Sequence, residues 1–161
     1  MPNPAFETIA PPFTTFRFEV VLDLDDPPPG LSNPVCNAAF AECDGLEMSM
    51  EPKTLREGGN NTAQVHLVGR VTYGTLTLRR GMTDNLDIWN WFRFAASGER
   101  LGLKAQGVVV MRDGEGLPQL RFELVDCLPI KLKAAALNAR DGTVAVEEMQ
   151  IAYGSFSVSP A

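Results

Sequence analysis

The sequence predicts a mainly β protein, an antiparallel β-sandwich or barrel with one packed α-helix. Three observations lead to this fold class. Apolar and polar residues alternate in several separate segments, as in strands that bury only one face. The Asp-Gly dipeptides at 113–114 and 141–142 are typical of tight turns between neighbouring strands. A single segment, near residues 84–97, has the apolar spacing of a helix.

Length and composition restrict the class of protein further. The 161 residues, 45% of them hydrophobic, suit a single folded domain, which we assign to residues 13–158. Residues 1–12 contain four prolines and are expected to form an extended N-terminal arm. The net charge of −6 argues against a protein that neutralises nucleic-acid phosphates and against a basic protein that binds membrane surfaces. The apolar runs are too short to span a bilayer, and residues 1–12 lack a secretory signal. We therefore expect a soluble protein made in the cytosol.

The first half of the domain is predicted to consist of strands and two long loops. The clearest strand signal is an alternation whose apolar members are Phe16, Phe18, Val20, Leu22 and Leu24. A proline-rich loop near residues 25–37 and a second alternation at Leu46, Met48 and Met50 follow. A polar, glycine-bearing loop near residues 52–63 leads to strands predicted at 64–68 and 75–80.

The helix and four further strands complete the predicted domain. Thr83 or Asp84 is expected to cap the helix, and Gly98 is placed to end it. Strands are predicted near 101–112, 119–127, 129–133 and 143–153. The apolar stripe of the helix consists of Leu86, Trp89, Trp91, Phe92 and Ala95. Of these, Trp89, Trp91 and Phe92 are favoured as core residues over interface residues.

The residues that could support catalysis or metal binding do not form a convincing site. His66 is the one histidine and has no ligand-type neighbours at metal spacing. The three cysteines, Cys36, Cys43 and Cys127, fit no zinc spacing and are expected to be free thiols. The adjacent carboxylates Glu147 and Glu148 are expected to point to opposite faces of a strand, although a bulge there remains an alternative. We predict no enzyme activity, no metal and no cofactor.

The regular polar faces of the strands favour assembly. A sheet curved around water keeps one face wet along its whole length, and pairing between subunits removes exposed strand edges. An oligomeric barrel with a water-filled lumen would explain both features. An ordinary sandwich with polar outer faces stays open as the alternative.

Four segments, taken in order, resemble the tail tube proteins of contractile phages and phage-like injection systems. Residues 40–47 (FAECDGLE) are similar to that family's F-x-E-V-S-G-L-E segment, and residues 56–61 (REGGNN) resemble its glycine loop. Residues 76–81 (LTLRRG) are similar to its L-T-L-K-R-G run. Residues 144–154 (VAVEEMQIAYG) resemble the V-A-I-E-E-x-x-L-A-Y-E-G segment at the end of that family's sequences. Together, the resemblance covers most of residues 13–154.

The resemblance implies a hexameric ring whose inner sheets join into one wide β-barrel. Rings would stack into a hollow tube inside a contractile sheath, and sheath contraction would drive the tube through a target envelope while the lumen conducts DNA or a protein cargo. The implied partners are the chain itself, the sheath protein, the baseplate and tail-terminator proteins, and the cargo. Assembly would take place in the bacterial cytoplasm, as part of a phage tail or of a phage tail-like particle that can be released extracellularly.

The resemblance also suggests which residues contact other subunits or rings. The glycine loop would reach a neighbouring subunit or the next ring, where glycines permit close backbone approach. Arg79, Arg80 and Glu57 would form charge pairs between subunits, with a solvated strand end as the alternative for the two arginines. The full set of expected contact residues is Arg56, Glu57, Gly58, Gly59, Asn60, Asn61, Arg79 and Arg80.

Two other functions remain open at the level of sequence. A tube initiator or terminator in the baseplate would share this fold, and only repetitive stacking of the chain with itself separates it from a tube subunit. A monomeric β-barrel that binds a small ligand in an enclosed apolar pocket belongs to a different class of protein.

Overall fold

The computed structural model describes residues 11–14, 17–56, 58–59, 63–97 and 101–161. Within these ranges the chain forms one helix, α1 (Asp87–Ala96), and twelve strands. The strands are β1 (Phe18–Leu24), β2 (Cys36–Ala38), β3 (Glu42–Asp44), β4 (Met48–Met50), β5 (Lys53–Leu55), β6 (Val65–Leu67), β7 (Val71–Tyr73), β8 (Thr75–Gly81), β9 (Ala105–Arg112), β10 (Pro118–Lys133), β11 (Val146–Ala152) and β12 (Ser155–Pro160).

Eight of the strands form two antiparallel sheets that share β10. Sheet 1 has the order β2-β1-β9-β10-β12 and uses β10 up to Cys127. Sheet 2 has the order β10-β11-β8-β3 and uses β10 from Leu128 onward. The remaining strands pair as β4 with β7 and β5 with β6. The antiparallel, mainly β architecture with one helix confirms the predicted fold class.

The long strand β10 passes from one sheet to the other at a local bend. Asp126 adopts a φ of 57°, which is unusual for a residue other than glycine, and the pairing with β9 shifts register between Leu124 and Cys127. A second register shift follows between Pro129 and Lys131, where a proline without an N–H is tolerated. The separate strands predicted at 119–127 and 129–133 are therefore one continuous strand.

The core lies between the inward faces of the two sheets. Alternation in β1 buries Val20, Leu22 and Leu24, as the period of two predicts, and Leu76, Leu78, Met149 and Ile151 oppose them from sheet 2. Phe16, the first residue of the predicted alternation, lies outside the described residues.

Helix α1 begins later than its predicted capping residues. Its N-cap is Leu86, which makes no side-chain capping bond, and the Oδ1 of Asn85 instead accepts the N–H of Asp87 at 2.9 Å. Ile88, Trp91 and Ala95 face the core, whereas Leu86 is exposed, so the buried stripe differs from the predicted one. The predicted terminator Gly98 lies outside the described residues. In the part of the chain that is described, no helix is long and apolar enough to cross a membrane.

Candidate assembly surfaces

The segment from β4 to β7 forms a hairpin that stands apart from the two sheets. Met48 pairs with Tyr73 and Met50 with Val71, and farther out Lys53 pairs with Leu67 and Leu55 with Val65. The N–H of Glu51 donates to the Arg70 carbonyl at 3.3 Å and joins the two short ladders. We call residues 48–73 the hairpin arm. The predicted loop near 52–63 is thus shorter than expected, because its first residues belong to β5.

Glycine at position 69 allows the two strands of the hairpin arm to come close together. A Cβ atom on Gly69 would overlap the carbonyl oxygen of Glu51. Any larger residue would therefore force the strands apart at the point where the ladders meet.

The hairpin arm exposes many large apolar side chains. On one face of the β4–β7 pair, Met48 and Met50 are both about half exposed, while on the other face the hydroxyls of Ser49 and Thr72 hydrogen-bond at 2.9 Å. A concentration of exposed apolar side chains in one segment is typical of an interaction site. The exposed apolar residues of the hairpin arm are Met48, Met50, Leu55, Val65, Leu67, Val68 and Val71.

The base of the hairpin arm is anchored to sheet 2 by Tyr153. The Tyr153 hydroxyl donates to the Gly45 carbonyl at 2.7 Å and accepts the N–H of Glu47 at 3.2 Å. Its ring packs against Tyr73 and Phe156, with centroids 5.9 and 5.8 Å away. Burial raises the pKa of Tyr153, so that the hydroxyl keeps the proton it donates. These contacts fix the direction in which the hairpin arm leaves the domain.

At the tip of the hairpin arm, the structure describes only part of the expected contact set. Arg56, Gly58 and Gly59 are exposed, and nothing in the chain lies within 4 Å of a Cβ placed on either glycine. Gly59 has a φ of 102°, which favours glycine, whereas nothing within the chain requires glycine at position 58. Glu57, Asn60 and Asn61 lie outside the described residues.

Arg79 lies on the outward face of sheet 2 between two carboxylates. Its Nη1 is 2.8 Å from the Glu42 Oε2, and its Nε is 2.9 Å from the Glu148 Oε2. The hydrogen bond with Arg79 lowers the pKa of Glu148 and raises the pKa of Arg79. The Arg79 side chain remains 44% exposed, so it is accessible to a neighbouring subunit.

Arg80 points to the opposite side of β8, into the core. The residue is only 7% exposed, and its Nε bonds the Oε1 of Glu147, which is 5% exposed. The other Glu147 oxygen accepts the Trp89 indole N–H at 2.9 Å, and the Arg80 guanidinium lies over the Phe40 ring. Because the Arg80 side chain is buried, the expectation that it contacts another subunit is not supported, and Arg80 is not part of the proposed interface. Glu147 and Glu148 do point to opposite faces, as predicted, and β11 pairs with β8 there without a bulge.

A sequence profile decides the family of the chain. The profile described as T4-like virus tail tube protein gp19 matches residues 14–157. The chain belongs to this tail tube protein family.

Solved structures of other tube-like proteins share the fold of this tail tube family member. A chain of the anti-feeding prophage baseplate has a TM-score of 0.80 and 23% identity, with 94% of this chain and 97% of that chain covered. A chain of the PVC extracellular contractile injection system sheath–tube complex has a TM-score of 0.76 and 17% identity, with 95% of both covered. The anti-feeding prophage tube-terminating cap has a TM-score of 0.78 and 18% identity over the whole of both chains. No protein with a curated function matched the sequence.

The described residues of this tail tube protein include few side chains arranged to bind a metal ion or to act as a nucleophile. No group of three or more His, Cys, Asp or Glu side chains among them could hold a metal ion. His66 is exposed and pairs across β5–β6 with Thr54. Burial raises the pKa of Cys43 to about 11 and that of Cys127 to about 12, which disfavours the reactive thiolate.

An apolar cavity opens between the two sheets, but it is small. Its volume is about 140 Å³, below the roughly 300–1,000 Å³ of typical small-molecule sites. The ligand-binding alternative therefore finds little support in this cavity. The cavity is lined by Phe18, Cys43, Leu46, Val109, Met111 and Phe122.

The expected set omitted several residues that the fold places on the outward face of sheet 2. Glu42 and Asp44 are exposed on β3, and Lys131 and Lys133 are exposed on β10. Their sequence signal is the spacing of like charges two residues apart, which places both members of each pair on the same strand face. The spacing alone does not indicate which strands they accompany, because that depends on the pairing of β3 with β8 and of β10 with β11.

Proposed function

We propose that this chain is the inner tube subunit of a phage tail or contractile injection system. Hexameric rings of the chain stack into a hollow tube, and contraction of a surrounding sheath drives the tube through a target envelope. The observation that carries the proposal is the family match over residues 14–157. The exposed hairpin arm supports it, because apolar surface of this extent calls for a protein partner.

The hairpin arm is the proposed contact with a neighbouring subunit or with the next ring. Its apolar residues would be buried there, and each well-buried apolar side chain contributes about 1.5–3 kcal/mol. The segment between β5 and β6 includes the expected contact residues Arg56, Glu57, Gly58, Gly59, Asn60 and Asn61. Arg79 adds an accessible charge on sheet 2.

The role of the chain in this proposal is mechanical. Its partners are other copies of itself, the sheath protein, and the baseplate and terminator proteins, and the lumen conducts a protein cargo or DNA. Assembly takes place in the bacterial cytoplasm within a tail or tail-like particle. The small cavity and the high thiol pKa values support a structural rather than an enzymatic role.

Electron microscopy with a light-scattering mass tests the proposal. We expect rings or tubes with a central hole and a mass that is a multiple of 17.5 kDa. A companion variant replaces Gly58 and Gly59 with bulkier residues. Gly30, which has a φ of 87°, and Gly142 both have open space around them and serve as the control positions. Unimpaired assembly of the Gly58/Gly59 variant would argue against the contact at the tip. A chain that stays monomeric even when fragments of assembled tube are added as a template for nucleation would overturn the tube function.

A tube initiator or terminator is the second candidate, because the anti-feeding prophage cap shares this fold over its whole length. The length of the assemblies distinguishes the two functions. A tube subunit stacks repetitively with itself, whereas an initiator or terminator stops after one or two rings. A single ring at every protein concentration would favour the second candidate.

A further inference from the structure

Two rows of polar side chains run across the four strands of sheet 2 on its outward face. Each row begins with a carboxylate on β3 and ends with a lysine on β10. By the strand register, the first row is Glu42, Arg79, Glu148 and Lys133, and the second row is Asp44, Thr77, Gln150 and Lys131. The first row therefore alternates in charge from one strand to the next.

The charges at the two ends of these rows are incompletely matched within the subunit. Arg79 already bonds both Glu42 and Glu148. Lys131 and Lys133 lie near enough to Glu148 to help lower its pKa, but neither forms an ion pair with a carboxylate of the described residues. Asp44 likewise has no cationic partner among the described residues. An acidic edge and a basic edge thus stand at opposite sides of the same sheet.

The direction of the strands makes these two edges compatible with each other. Sheet 2 contains four antiparallel strands, so its edge strands β3 and β10 run in opposite directions. When two copies are related by rotation about a ring axis, β3 of one copy meets β10 of the next in antiparallel orientation. In that orientation Glu42 can face Lys133 while Asp44 faces Lys131, so both rows continue from copy to copy.

Sheet 1 has neither edge strands that run in opposite directions nor edges of opposite charge. It has five strands in alternating directions, so its edges β2 and β12 run the same way and would meet in parallel in a ring. Neither Cys36–Ala38 nor Ser155–Pro160 contains a charged residue.

We infer that, where the sheets of neighbouring copies join in the ring, the acidic β3 edge of one copy forms ion pairs with the basic β10 edge of the next, Glu42 with Lys133 and Asp44 with Lys131. The inference rests on the proposed function and specifies the sheet, the strands and the charge pairs of the ring. Cross-strand opposite charges stabilise a sheet, and like charges placed directly opposite destabilise it. The outward face of sheet 2, with its alternating charges and hydroxyl and amide groups, then lines the lumen.

Two charge-reversed variants test the pairing, alone and mixed. Variant X is Lys131→Glu/Lys133→Glu, and variant Y is Glu42→Lys/Asp44→Lys. Each variant alone sets like charges against each other at every contact in the ring. In an equimolar mixture, alternating X and Y copies restore opposite charges at every contact, and a ring with an even number of copies accommodates them. Arg140→Glu and Glu115→Lys, at exposed positions outside sheet 2, serve as controls for charge reversal elsewhere on the surface.

Assembly is measured by light scattering and sedimentation at low salt, and the melting temperature of each variant is recorded. We expect X and Y each to raise the concentration for half-assembly about tenfold or more. The mixture should return to the wild-type value, and the control variants should not depart from it. Recovery on mixing is a result that a folding defect does not produce.

Assembly of X or Y alone at the wild-type concentration would overturn the inference, as would folded variants that fail to recover on mixing. If either variant does not fold, hydrogen exchange on wild-type rings decides instead. Amides of β3 and of β10 after Leu128 should then exchange more slowly in rings than in monomers, and equal exchange would overturn the inference. A wild-type chain that forms no rings at all would instead overturn the proposed function itself.

Discussion

The Nε of Arg80 lies 2.5 Å from the Oε1 of Glu147, across the adjacent strands β8 and β11 and within the core. Trp89 donates to the second Glu147 oxygen and so attaches helix α1 to the same carboxylate. Breaking a buried pair by removal of one partner leaves an uncompensated charge, whereas replacement of both partners by apolar residues is often tolerated.

We therefore predict that Glu147→Ala lowers the free energy of unfolding by about 3–5 kcal/mol. The double variant Arg80→Met/Glu147→Met should lose clearly less, because it leaves no buried charge. Urea denaturation of both variants measures the difference. A loss below about 1 kcal/mol for Glu147→Ala would show that the pair contributes little to the fold.

A second prediction concerns the turn that leads into the hairpin arm. Gly45 has a φ of 92°, and a Cβ there would overlap the Thr75 carbonyl oxygen. Gly45→Ala should lower the free energy of unfolding by at least about 2 kcal/mol, since it adds a steric overlap to backbone strain. Gly142→Ala is the matched control, because nothing lies within 4 Å of its Cβ, and we expect a change within about 0.5 kcal/mol. Equal melting temperatures for the two variants would contradict this account of the turn.

A third prediction separates assembly from folding in the hairpin arm. Met48→Thr/Met50→Thr should change the free energy of unfolding by less than about 1 kcal/mol, because both side chains are exposed in the subunit. The same variant should raise the concentration needed for tube assembly about tenfold or more, since two apolar contacts are lost. Sedimentation of assembled tubes measures this concentration.

Leu137→Thr provides the control for the hairpin-arm variant. Leu137 is 91% exposed but lies in the segment between β10 and β11, away from the hairpin arm. Assembly that weakened equally in both variants would indicate a general loss of apolar surface rather than a specific contact.

A fourth prediction follows from the buried thiol of Cys127. Burial raises its pKa from 9.0 to about 12, so the folded chain keeps the proton after the unfolded chain has released it. The stabilisation is fully present below pH 9 and is lost as the pH rises toward 12. Between pH 8 and pH 10 the wild-type chain should lose about 1.4 kcal/mol more than Cys127→Ala, which cannot titrate at this position. Parallel pH profiles for the two proteins would show that Cys127 does not titrate as described.

The sequence predicts those elements whose own residues show an apolar–polar alternation or a turn dipeptide. The alternation in β1 is visible because one face is buried and the other is not, and the Asp113-Gly114 turn joins β9 to β10 as expected. Helix α1 begins later than its sequence predicts, because Asn85 rather than Thr83 or Asp84 accepts the first helical N–H.

Features that depend on tertiary pairing were harder to predict. The continuity of β10 depends on the unusual conformation of Asp126, and β12 was not predicted because its short Ser-Phe-Ser-Val run acquires strand geometry through pairing with β10. The burial of Arg80 depends on the position of Glu147 on the next strand. The charge rows of sheet 2 likewise become visible only when the registers of three strand pairs are known.

The passage of β10 through both sheets also determines how the subunit would carry mechanical load. Since Pro118–Lys133 is one unbroken strand, a force applied to sheet 1 reaches sheet 2 along covalent backbone bonds and not only through side-chain contacts. To peel the sheets apart, such a force would have to strip β10 from β9 and β12 on one side of the bend or from β11 on the other. Under axial thrust, the subunit should therefore deform as a single stiff body, with the bend at Asp126 as its most compliant point.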